Sequence, residues 1–137
     1  MKILWLAPFN IHLEPVIAGL KSLPGHETEV VWFERFGHQV DSMVIDAADK
    51  IRPDLIIYTG QNGGIFPSLD CFLRLKRRAP IVMIAHDASD ATWTQLLEQY
   101  EAANAFTAIV NIDGSDKWPR REVDFTCLTP TDPEFYV

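Results

Sequence analysis

Apolar runs of strand length alternate with helix-period segments along almost the whole chain. That rhythm constrains the fold more than any other feature. Ile3 to Ala7 is continuously apolar, as expected of a strand buried on both faces. Leu13, Val16, Ile17, Leu20 and Leu23 then recur at helical spacing until Pro24-Gly25 stops the helix. Glu29 to Phe33 reads as a second strand, and Val40, Val44, Ala47, Ala48 and Ile51 as the buried stripe of a second helix closed by Arg52-Pro53. Leu55 to Thr59 is a third strand. Pro67 suits the first turn of a third helix with a stripe of Leu69, Phe72 and Leu73. A fourth strand runs from Ile81 to Ala85. Ser89 or Asp90 caps a fourth helix packed through Trp93, Leu96, Leu97 and Tyr100. Phe106 to Ile112 is a fifth strand, and Asp124 to Leu128 a sixth.

Strands separated by helices cannot pair as hairpins; they line up in parallel, with the crossover helices covering the sheet. The expected architecture is a single α/β domain: a doubly wound, mostly parallel sheet with helices on both faces, Rossmann-like in kind. Its length of 137 residues, 47 % of them hydrophobic, supplies a core for one such domain. Strand order is not written in the sequence. Nineteen acidic against twelve basic residues give a net charge of −7, the wrong sign for a nucleic-acid backbone or an anionic membrane. The basic cluster Arg74, Lys76, Arg77 and Arg78 falls at the end of the third helix, where it complements the helix dipole and is expected to play a solvated, structural role. Cys71 and Cys127 lack metal-ligand spacing, which points to no metal site and to a reducing compartment. The opening apolar run is too short for a signal peptide or a membrane-spanning helix. A cytoplasmic protein is the expectation.

In such a sheet the strand-to-helix loops form the ligand edge. The first loop brings Asn10 and His12, the third Gln61 and Asn62, the fourth His86, Asp87 and Asp90, and the fifth Asp113, Ser115 and Asp116. Glu34, Arg35 and His38 follow the second strand, towards one side. Histidines, carboxylates and amides on one edge suit a polar, hydroxyl-rich ligand. Several chemistries are pruned. No Gly-x-Gly-x-x-Gly follows the first strand and no Gly-x-x-x-x-Gly-Lys occurs. Tyr58-Thr59-Gly60 ends the third strand where a receiver domain needs an aspartate. Ala7-Pro8-Phe9-Asn10 is not the hydroxyl-rich phosphate loop of a flavodoxin, and the cobalamin pattern Asp-x-His-x-x-Gly is missing.

The first loop, Pro8-Phe9-Asn10-Ile11-His12-Leu13-Glu14-Pro15, resembles the opening of GT-B glycosyltransferases. There a Pro-rich turn, a Gly-His pair and a proline three residues after the histidine begin the N-terminal, acceptor-binding domain; Ile11 stands here in place of the glycine. The tail Leu128-Thr129-Pro130-Thr131-Asp132-Pro133-Glu134-Phe135 resembles the segment leading into the second domain of that fold, with an Asp-to-Phe spacing one residue shorter than usual. Asp54-Leu55-Ile56-Ile57-Tyr58 and Ala85-His86-Asp87 fit the same domain.

The resemblance implies residues 1–128 as the Rossmann-like N-terminal domain and 129–137 as the start of an interdomain linker. It implies His12 as the base that deprotonates an acceptor hydroxyl and Asp87 as its orienting partner, with His86 a second candidate for either role. Asn10, Gln61, Asn62 and His86 are then candidates for contact with a hydroxylated acceptor, a saccharide or glycan. The nucleotide-sugar donor would be held mainly by a C-terminal domain, covalent or on a partner chain. This chain itself would carry no cofactor and show no transfer alone. The first loop resembles inverting enzymes and the tail retaining ones, so stereochemistry stays open. The alternative is a non-catalytic, flavodoxin-like binding or regulatory module. A self-sufficient hydrolase has no Gly-x-Ser-x-Gly to support it.

Overall fold

The structure, a computed structural model, describes residues 1–8, 14–60, 65–85, 91–112 and 125–126; for 91–94 and 125–126 the description is of the backbone alone. Six parallel strands form one sheet: β1 (Lys2–Ala7), β2 (Glu27–Trp32), β3 (Leu55–Gly60), β4 (Ile81–Ala85), β5 (Ala108–Asn111) and the two-residue β6 (Phe125–Thr126). Their spatial order is β2-β1-β3-β4-β5-β6. Four helices alternate with them, α1 (Glu14–Ser22), α2 (Val40–Ile51), α3 (Leu69–Lys76) and α4 (Ala91–Ala102). The expected α/β domain with a parallel sheet is therefore present.

Patterning along each strand follows its place in the sheet. β1 lies between β2 and β3 and is buried from Ile3 to Ala7, which is why its sequence is apolar without alternation. β2 is an edge strand, and its alternating Glu27 and Glu29 are exposed. It starts two residues earlier than its apolar run, because Lys2 pairs with Glu27. It ends at Trp32, since Phe33 turns into a 3₁₀ segment, Phe33–Gln39, kinked at Gly37 (φ 54°, ψ −130°). That positive φ is the one place in the segment where glycine's freedom is used.

Two separate clusters cover the two sheet faces. On one, Leu4, Leu6, Ile56, Tyr58, Ile81, Met83 and Ile109 meet the inner stripes of α2, α3 and α4. At its centre, Phe72 of α3 lies 4.6 Å from Tyr58, 5.1 Å from Phe106 and 5.6 Å from Tyr100, ring centroid to centroid. These tilted and edge-to-face contacts are the favourable arrangement for aromatic quadrupoles. Burial, with Tyr100 and Glu34 adding to it, pushes the Tyr58 phenol well above its ordinary range. On the other face Trp5, Ala7 and Ile17 form a small cluster under α1, joined by Val16, Leu20, Trp32, Ile57 and Ile84. Among the described residues, helices thus lie on both faces, one on this side and three on the other.

Some local expectations shift. The third helix starts at Leu69 with Ser68 as its N-cap, and it buries Cys71, Phe72 and Leu75 while Leu73 is only half-buried. Phe106 is not in the fifth strand. It sits in the irregular segment before it with its ring fully buried among the other aromatics. The basic cluster ending α3 has the solvated, structural role expected of it, with Arg74, Arg77 and Arg78 exposed. Lys76 Nζ donates to the Asn104 backbone and side-chain oxygens, and Arg78 pairs with Asp49 of α2. The Arg78 hydrogen bond holds the Asp49 carboxyl below its usual range.

Candidate functional site

The strand order fixes where a ligand edge must lie. From β1 the chain crosses to β2 in one direction; from β3 it crosses to β4 in the other. The crevice outside the carboxyl ends of β1 and β3 is therefore the topological switch point, the usual ligand position in open α/β sheets. β4 is the next strand along. At about 4.8 Å per strand, the ends of β1 and β4 stand ~10 Å apart across β3.

All six of the main sequence candidates, Asn10, His12, Gln61, Asn62, His86 and Asp87, lie outside the described residues, as do Asp90, Asp113, Ser115 and Asp116. What the structure describes is the ends from which their loops depart. Ala7 and Pro8 at the end of β1, Thr59 and Gly60 at the end of β3, and Ala85 at the end of β4 are all buried. Three neighbouring parallel strands thus end at one edge. Glu34 and Arg35 follow β2, one strand further out on the other side of β1.

The β1 and β3 ends are tied together. In the parallel register Trp5 faces Ile57, and its indole reaches two residues further up β3, where Nε1 donates to Thr59 Oγ1 at 2.7 Å. Trp5 is packed beneath Ile17 of α1, so one side chain links β1, β3 and the helix that follows the first loop. Among the described residues, Thr59 and Asn111 are the polar side chains that are fully buried, and each stands within a residue of the carboxyl end of its strand. Neither was singled out from the sequence. The available signal was a polar residue interrupting an apolar strand just before its end, as in Ile57-Tyr58-Thr59 and Ile109-Val110-Asn111.

A second tie closes the amino end of α3. Asp41, in the first turn of α2, accepts the Ser68 backbone N–H at 2.9 Å and the Ser68 hydroxyl on its other oxygen. Ser68 Oγ in turn accepts the Cys71 N–H at 3.2 Å, capping the helix. The Asp41 carboxylate thus lies against the cap residue of α3, where its negative charge complements the helix dipole. Burial, reinforced by the Asp41 charge, pushes the neighbouring Cys71 thiol up to about 12. Such a thiol stays protonated at neutral pH and is no nucleophile.

Elsewhere, two open hollows lie at the opposite, amino-terminal edge of the sheet. One of about 600 Å³ is lined by Lys2, His26, Arg52, Glu27 and Asp54 among others, and one of about 410 Å³ by Asp49, Arg52 and Arg78. Both mix charges of the two signs, and the Asp54 carboxylate is engaged by the Lys2 N–H at 2.7 Å. Among the described residues no group of three or more His, Cys, Asp or Glu side chains is placed to hold a metal. No described helix is long and apolar enough to cross a membrane. Compared with known proteins, the chain matches no family model, no curated protein and no solved structure.

Proposed function

We propose that this chain is the acceptor-binding half of a GT-B type glycosyltransferase, acting with a donor-binding domain to transfer a sugar from a nucleotide sugar to a hydroxyl group. The observation that carries this reading is the strand order. β1, β3 and β4, the strands that Asn10 and His12, Gln61 and Asn62, and His86 and Asp87 follow in the sequence, are adjacent around the switch point. The closed amino end of α3 is consistent with it. An acceptor rich in neutral hydroxyls needs amides, imidazoles and carboxylates more than a phosphate-holding helix terminus.

In this reading His12, two residues before α1, takes the proton from the acceptor hydroxyl. The nearby positive end of a helix favours the neutral imidazole needed for that step. Asp87, from the loop beyond β4, holds the other ring nitrogen and stabilises the imidazolium once formed. Asn10, Gln61, Asn62 and His86 orient the acceptor. Cys71 as a free buried thiol accords with residence in the cytoplasm.

A second reading rests on the same strand order. The order β2-β1-β3-β4-β5 is also that of flavodoxin-like sheets, and a non-catalytic binding or regulatory module of that kind would use the same edge.

Titration of ¹⁵N-labelled chain with a panel of mono- and oligosaccharides separates them. Acceptor binding gives saturable amide shifts confined to residues 9–13, 61–64 and 86–90, weakened at least tenfold by His12→Ala or Asp87→Ala. Absence of such shifts across the panel overturns the acceptor reading in favour of the binding module. The same chain incubated with nucleotide sugars and saccharides shows no transfer; robust turnover overturns the half-enzyme.

A further inference from the structure

We draw no further inference here: the strongest candidate, the open hollow of about 600 Å³ at the amino-terminal edge of the sheet, sets Lys2, His26 and Arg52 against Glu27 and Asp54 and so selects no class of ligand.

Discussion

The two faces of the sheet are held in different ways. Beneath α2, α3 and α4 a large continuous cluster is centred on interlocking aromatic rings, and its cohesion is a matter of volume and shape. Among the described residues, the cluster beneath α1 is small, with Trp5, Ala7 and Ile17 buried, and a directional bond from Trp5 to Thr59 ties β1 to β3 there. Few buried apolar contacts mean low local stability. The lightly held face belongs to α1, the helix that follows the first candidate loop. The heavily held face anchors everything else. A fold of this kind can let the loop side adjust to a ligand without loosening the main core.

The comparison is most exposed to paired truncations. Phe72→Ala removes a ring that is wholly buried and touches three others, and should cost about 4 kcal/mol. Ile17→Ala, under α1, should fall at the low end of the aliphatic range, about 2 kcal/mol, because its surroundings can collapse. Equal costs in denaturant unfolding would break the distinction between the faces. Next, Trp5→Phe keeps most of the ring but orphans the Thr59 hydroxyl, for a loss of about 2 kcal/mol. Adding Thr59→Val should recover part of that loss, since an apolar pair is nearly neutral where half a hydrogen bond is not. No recovery would mean that Trp5 acts through packing alone.

Ser68→Ala removes the α3 cap and one of the two Asp41 contacts, for about 1 kcal/mol. Thermal unfolding should show it, and Asp41→Ala should cost less in the Ser68→Ala background than alone, because the two share one network of which only the backbone N–H contact then remains. The smallest effect belongs to the surface pair of Asp49 and Arg78. Its sign is set by Asp49, whose folded pKa is depressed. The contribution is fully present above the unfolded value of about 3.9 and disappears as pH falls through the lower folded value. Asp49→Asn should therefore narrow its gap to the unaltered protein as pH drops below about 4, and also in high salt.

Much of this architecture was legible because burial imposes itself on local pattern. The uninterrupted Ile3–Ala7 run announced a strand covered on both faces, and the β-branched and aromatic residues from Val30 onward marked the second strand. The bounds of α2, closed by Arg52 in the left-handed conformation and Pro53, could be read directly. Strand order could not, since it depends on which face each crossover takes. Phe106 was assigned to a strand because its neighbours are apolar, yet its ring is recruited by Phe72 and Tyr100 from across the sequence. Leu73 and Cys71 exchanged roles for a similar reason: helix periodicity gives a stripe, and docking against β3 and β4 selects which one. At the candidate site, the sequence named the loop residues by chemistry. It passed over Trp5 and Thr59, whose pairing depends on a register between strands more than fifty residues apart.

The central position of β1 has a consequence for how the protein is made. β1 precedes both of its neighbours, and its last pairing in β3 is Leu6 with Tyr58. A nascent chain must therefore carry an apolar, strand-forming hexapeptide for some fifty residues before the sheet can enclose it. During that interval the segment is the natural target for a chaperone and the natural seed of aggregation, while the acidic flanks of β2 guard only the edge that comes later.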